Sequence, residues 1–162
     1  MSSSQQLPAR SRIVQQQLAE AGFTAAVREL PDATRTAAAA AAALGCEVGA
    51  IASSLVFLAD DEPLLVMTSG RHRVDTALLA SRIGAGRLDM ATPTQVRAIT
   101  GQAIGGVAPV GHPAPVRTLV DEALREYEVI WAAAGTPHTV FPLTFAVLVA
   151  LTKGTVHQVA PE

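Results

Sequence analysis

The sequence predicts a single mixed α/β domain of the α+β kind, and three observations carry that prediction. Of 162 residues, 49% are hydrophobic and only 16% charged, enough apolar content for one packed core. Helical and strand-forming segments alternate irregularly, without the regular rhythm of a doubly wound parallel sheet. Two apolar runs, Leu55–Ala59 and Leu64–Thr68, are separated by Asp60-Asp-Glu-Pro63, the pattern of a β-hairpin. No repeat or linker divides the chain, so the domain is expected over 10–162, with 1–9 as a flexible N-terminus.

The elements follow in order. Ile13, Val14, Leu18 and Ala21 recur at helical spacing, and Gly22 ends that helix. Phe23–Leu30 reads as a strand and Pro31-Asp32 as a turn. Thr34–Leu44 is an alanine-rich helix, capped by Gly45 and small enough in section to pack closely on a sheet. After the hairpin, Asp75 caps a helix running to Ile83, and Arg87–Met90 is a short strand. Thr92-Pro93 opens the next helix, with proline at its first position, and Gly101 closes it. Val116–Val120 and Val129–Ala133 are strands. Pro142–Thr152 reads as an apolar helix before Gly154, and Thr155–Val159 as the last strand.

Charge and composition narrow the function. Twelve basic against fourteen acidic residues give a net charge of −2, so no broad electrostatic footprint for DNA exists. One Trp, one Tyr and four Phe are too few for a row of base-stacking platforms. The single cysteine, Cys46, excludes an intrachain disulfide, lacks a histidine partner, and reads as a small buried residue. Four scattered histidines lack metal-ligand spacing, so neither metal nor cofactor is expected. The polar start and the lack of an apolar run of ~18 residues predict a cytoplasmic chain with no membrane segment.

The segment most specific for function is Gly101–Pro113, with four glycines and two prolines in thirteen residues. Such a loop is neither helix nor central strand, and it can present backbone N–H and C=O groups to a small polar ligand. Two other segments accompany it: Ile51-Ala-Ser-Ser-Leu-Val-Phe57 and Ala134-Gly-Thr-Pro-His138. Further blocks keep their order: Val66-Met-Thr-Ser-Gly70 leading to Arg73-Val-Asp75, Ala91-Thr-Pro93 with Val96 and Thr100-Gly101, Gly105-Gly-Val-Ala-Pro109 with Gly111, and Asp121.

Together these blocks resemble the YbaK/ProX-type domain, the prolyl-tRNA synthetase-associated editing family, from about Phe23 to Val159. The resemblance implies a mixed, barrel-like sheet flanked by helices. It also implies hydrolysis in trans of the ester in a mischarged tRNA, such as Cys- or Ala-tRNA(Pro), with a synthetase as a possible further partner. Editing of this kind answers a physical limit, because one methylene gives only about 10–200-fold discrimination in a binding pocket. By resemblance, Gly105, Gly106, Val107, Ala108 and Pro109 hold the aminoacyl moiety, together with Gly135 and Thr136. Arg71 and Arg73 are the candidates for acceptor-stem phosphates, although they read equally as a solvated rim.

Editing members of the family usually carry a lysine at the position of Ser53. Serine has neither the charge nor the reach of that lysine. The chain has one lysine, Lys153, against eleven arginines, yet position 53 is not arginine. Two readings follow: Ser53 orients water or substrate in a divergent deacylase, or the pocket binds an aminoacyl group without hydrolysing it. His138 is the second candidate for a catalytic role, as a donor or proton relay near neutral pH, against a structural histidine at a strand start. Asp121 reads as structural, binding backbone amides, and Asp75 as a helix cap. His112 reads as an exposed loop residue, and His72 and His157 as surface residues.

Overall fold

The computed structural model describes residues 7–31 and 36–161. Its five helices are α1 (Ala9–Glu20), α2 (Ala37–Leu44), α3 (Thr76–Ile83), α4 (Pro93–Thr100) and α5 (Phe145–Thr152) among these residues. Eight strands form one mixed sheet: β1 (Arg28–Glu29), β2 (Ile51–Ala59), β3 (Glu62–Ser69), β4 (Leu88–Met90), β5 (Arg117–Asp121), β6 (Ile130–Ala133), β7 (Thr139–Leu143) and β8 (Thr155–His157). The order across the sheet is β1-β7-β6-β2-β3-β5-β8, and β4 pairs with β2. The pairs β2–β6, β3–β5 and β5–β8 are parallel, and the others are antiparallel.

Helices cover both faces of the sheet centre, which is why Leu64 to Ser69 of β3 are all buried instead of alternating with solvent. Strand alternation sends Leu65 and Met67 into a core with Val14, Leu18, Val96, Phe141 and Leu148. Leu64 and Val66 point the other way, to Phe57, Leu79 and Leu119. A third, smaller cluster places Ala40 and Ala41 of α2 on Ile51 and Val140. The alanine content of α2 permits that close approach.

Most boundaries follow local chemistry. The hairpin turn is only Asp60-Asp61, both at positive φ (49° and 71°), with Ala59 opposite Glu62. Asp75 accepts from Leu78 N–H, and Thr92 forms a full capping box with Gln95 before Pro93. Thr36 caps α2, while Asp32 and the predicted helix start at Thr34 lie outside the described residues.

Two expectations are corrected. The strand expected over Phe23–Leu30 pairs only at Arg28 and Glu29, because Phe23 turns inward onto Phe141, with ring centroids 6.1 Å apart. The helix expected from Pro142 begins at Phe145, capped by the Thr144 side chain, and Pro142 lies inside β7. Ala134 N–H bonds Thr139 C=O, so strand alternation turns the Pro142 nitrogen away from β6 and past the end of β1. No ladder donor is needed there, and proline is tolerated.

Candidate functional site

The sheet splits beside Ser53. β2 pairs with β6 only at Ile51 and Ala52, and with β4 only from Phe57. Between those points, no strand of the described residues pairs with that edge of β2. Gly70 N–H bonds Ile51 C=O at 2.8 Å, so alternation directs the backbone of Ile51, Ser53 and Leu55 toward β3. The N–H and C=O of Ser54 point the opposite way, into the split, where neither ladder includes them. Ala91 N–H takes the next carbonyl, that of Val56, at 3.0 Å.

A cavity of about 260 Å³ fills the split. Ser53, Ser54 and Leu55 line one side, Ala37 and Ala40 of α2 a second, and Trp131 and Ala133 of β6 a third. Ile104, Gly105 and Val107 of the glycine loop close it, with Pro137 and Thr139 beside them. Among the described residues, none that lines it is ionisable. The Ser54 hydroxyl points to the opposite face, bonding Met67 Sδ at 3.2 Å. Ser53 Oγ has no bonding partner among the described residues and is not sealed from solvent, so it is the hydroxyl available to a ligand.

The glycine loop is held by a residue that the sequence reading did not single out. Gln102 is 1% exposed, and its Oε1 accepts from Ala108 N–H at 2.8 Å while its Nε2 donates to Val110 C=O at 3.0 Å. One side chain thus takes the place of a strand partner for the loop. Its signal, a lone polar residue beside Gly101, was too weak to read alone. Val107, Ala108 and Pro109 are buried, while Gly105 is exposed at φ 91°.

His112 is not the exposed loop residue expected. It is half-buried, and its Nε2 donates to Ala108 C=O at 2.9 Å. Burial pushes its imidazole below the ordinary value, against the opposing effect of that bond. A folded-state value below the unfolded one means that the unfolded chain binds more protons. Stability is then complete above the unfolded pKa of about 6.5 and falls as pH drops through it. His157 is pushed the same way by burial and by Arg117 and Arg82, so the two histidines share the slope. We expect the thermal midpoint to fall between about pH 7.5 and 5.5, and His112→Gln to flatten part of that fall. An unchanged slope in the variant would contradict this assignment.

The 134–139 segment packs backbone to backbone on the loop. A Cβ on Gly106 would lie 2.6 Å from Thr136 Cα and 2.7 Å from Pro137 N. Gly135 has φ 101°, with Arg10 Cγ 2.7 Å from where its Cβ would stand. Thr136 Oγ1 bonds Thr139 Oγ1 at 2.7 Å, and Ser11 Oγ completes the chain at 2.9 Å. Thr136 is therefore occupied within the protein and does not line the cavity. His138 lies outside it as well, with Nε2 3.6 Å from Glu29 Oε2.

A second hollow, about 310 Å³, adjoins the cavity and shares Ala37, Ser53 and Leu55 with it. Arg73, Val74, Thr76 and the exposed Met90 line its far end. Arg71 makes a two-pronged pair with Glu126, at 3.0 and 2.9 Å, and reaches Tyr127 Oη at 3.2 Å. That pairing raises the guanidinium pKa further and holds the Glu126 carboxyl below its usual value. His72, expected at the surface, is 9% exposed in its side chain, with Nδ1 2.7 Å from the fully buried Asp121. Among the described residues, no three His, Cys, Asp or Glu side chains gather as a metal site.

Comparison with known proteins agrees with this architecture. The model of the aminoacyl-tRNA editing domain matches residues 31–151. A proline–tRNA ligase of Nitratidesulfovibrio vulgaris is 33% identical over 102 residues, 62% of this chain and 18% of the ligase. The chain thus spans less than a fifth of that relative's length. YwhH of Bacillus subtilis, of uncharacterised function, is 28% identical over 119 residues, 73% of this chain and 75% of YwhH. A crystal structure described as a candidate trans-editing enzyme for prolyl tRNA synthetase superposes with a TM-score of 0.90 at 43% identity, covering 96% of this chain and 99% of that one. By the match along most of its length, the chain belongs to the aminoacyl-tRNA editing domain family.

Proposed function

We propose that this chain is a trans-editing deacylase that hydrolyses the ester of a tRNA mischarged with a small amino acid, such as Cys- or Ala-tRNA(Pro). The observation that carries this reading is the cavity at the sheet split, closed by the glycine loop, in a chain of the editing family. At about 260 Å³ it lies just below the roughly 300–1,000 Å³ of pockets for drug-sized ligands, a size suited to a small aminoacyl group. The tRNA 3′ end runs along the adjoining hollow toward Arg73.

With no ionisable residue among the described residues of the cavity lining, the chemistry rests on positioning and on fixed dipoles. Backbone groups of the loop at Gly105 hold the aminoacyl moiety. Ser53 Oγ orients the attacking water or the ribose hydroxyl beside the ester carbon. His138 acts on the segment's position, since its imidazole faces Glu29. Val107 lines the cavity beside Gly105, and Gly106, Ala108, Pro109, Gly135 and Thr136 shape its wall from behind. Arg71, already paired with Glu126, contributes less to tRNA affinity than Arg73.

The same lack of a charged group among the described lining residues supports a second reading, a module that binds aminoacyl-tRNA without cleaving it. Deacylation of Ala-, Cys- and Ser-tRNA(Pro), measured beside Ser53→Lys, separates the two. The native chain is expected to hydrolyse at least one of them. Ser53→Lys is expected to accelerate that reaction by roughly a hundredfold, the scale of one preorganised electrostatic contact. Hydrolysis by the variant alone would favour the binding module, and silence from both would reject these substrates.

A further inference from the structure

We infer that the aminoacyl group binds as a one-residue strand, paired with the backbone of Ser54 across the gap between β6 and β4. This rests on the aminoacyl-ester reading above. The β2–β6 ladder stops at Ala52 and Ala132, although Ser53 and Ala133 would be its next pair. β4 joins only at Phe57. The Ser54 N–H and C=O are left facing the cavity, while its hydroxyl is engaged with Met67 on the other face. A donor and an acceptor left unpaired in a half-enclosed site are each costly once water is displaced without replacement. Whatever fills the cavity must therefore offer one acceptor and one donor, spaced as on a strand.

An α-aminoacyl ester does so. Its ammonium and carbonyl flank one tetrahedral carbon, as the N–H and C=O of a residue do. In an antiparallel ladder, a hydrogen-bonded pair exchanges both bonds. Ser54 C=O accepts from the ammonium, and Ser54 N–H donates to the ester carbonyl. The second bond strengthens as that oxygen gains negative charge during attack. Among the described residues no carboxylate lines the cavity to receive the ammonium, and Thr139 Oγ1 is already engaged by Thr136 and Ser11. A main-chain clamp of this kind ignores the side chain, leaving discrimination to Ile51, Val107, Trp131 and Val140 around it.

The test uses ¹⁵N-labelled full-length protein and two non-hydrolysable ligands: 3′-alanylamido-3′-deoxyadenosine and its 3′-propionylamido counterpart, which lacks the amino group. With the first, the Ser54 amide proton is expected to move downfield and its solvent exchange to slow at least roughly tenfold. The second is expected to bind at least roughly tenfold more weakly, because the bond to Ser54 C=O is lost, while still shifting the Ser54 amide. If Gly105 and Ala133 respond to the ligands and Ser54 does not, the strand pairing is wrong and the aminoacyl reading survives. Equal binding of the two ligands removes the ammonium–carbonyl bond and overturns the pairing. If no cavity amide responds at high ligand concentration, the aminoacyl reading fails and the pairing fails with it.

Discussion

Gly106→Val is expected to lose aminoacyl binding and deacylation together and to lower the urea midpoint. The glycine loop and the 134–139 segment meet at this residue with no side chain between them. A Cβ there would stand 2.6 Å from Thr136 Cα, and the facing atoms are backbone, which cannot swing aside. Something must shift, and the loop, Gly101–Pro113, is the part with fewest ladder bonds. Overpacking of this kind costs about 1–3 kcal/mol, sometimes more. Because Gly105 and Val107 line the cavity on either side of Gly106, displacement opens the cavity wall at the same time. Gly105→Ala is the contrasting variant. Its φ of 91° makes any side chain strained, but nothing stands within 4 Å of an added Cβ. It should cost only about 1–2 kcal/mol and keep the two segments in contact. Equal urea midpoints for the two variants would contradict backbone-to-backbone packing at Gly106.

How much of this was legible in the sequence depends on whether the signal was local. Caps were legible because each sits within three residues of its partner: Thr92 with Gln95, Asp75 with Leu78. The hairpin was legible from its turn, though β2 starts earlier than its apolar run suggests, because Ser53 and Ser54 are strand residues without apolar side chains. The helix read from Pro142 failed because a run of apolar residues from β7 into α5 has no periodicity to divide it. Only the pairing with β6 shows where strand ends and helix begins. For the site, the ordered motifs singled out the glycine loop, Ser53 and the 134–138 segment, and the fold brings Ser53 and Gly105 to one cavity. The split in the sheet was not legible, because it is the absence of a pairing between distant strands. Gln102, His112 and His72 share that difficulty, since each owes its burial to long-range packing and not to its neighbours in sequence.

Asp121→Ala is expected to produce the largest loss of stability, about 3–5 kcal/mol, seen as a lower urea midpoint at unchanged slope. Asp121 is completely buried at the end of β5. Its Oδ2 accepts from Ser69 N–H at 3.0 Å, Thr68 Oγ1 at 3.3 Å and His72 Nδ1 at 2.7 Å. Its Oδ1 accepts from Ala123 N–H at 2.9 Å and so caps the 3₁₀ turn at Glu122–Glu126. One carboxylate thus ties the end of β3, the following loop and the strand beside it, in the amide-binding role the sequence suggested. Asp121→Asn isolates the reason. An amide has one acceptor oxygen, whereas backbone N–H groups approach both oxygens of the native side chain. Either orientation therefore sets an NH₂ against a backbone donor, and no flip repairs it. The cost should be about 1–3 kcal/mol, smaller than for alanine because the other oxygen keeps its bonds. The disturbance also reaches the cavity, because Thr68 lies directly opposite Ser53 in the β2–β3 ladder. Binding of the alanylamido ligand should weaken in both variants, more in Asp121→Ala. A urea midpoint in Asp121→Asn equal to the native one would mean that the two backbone bonds contribute nothing measurable, and the role assigned to this residue would be wrong.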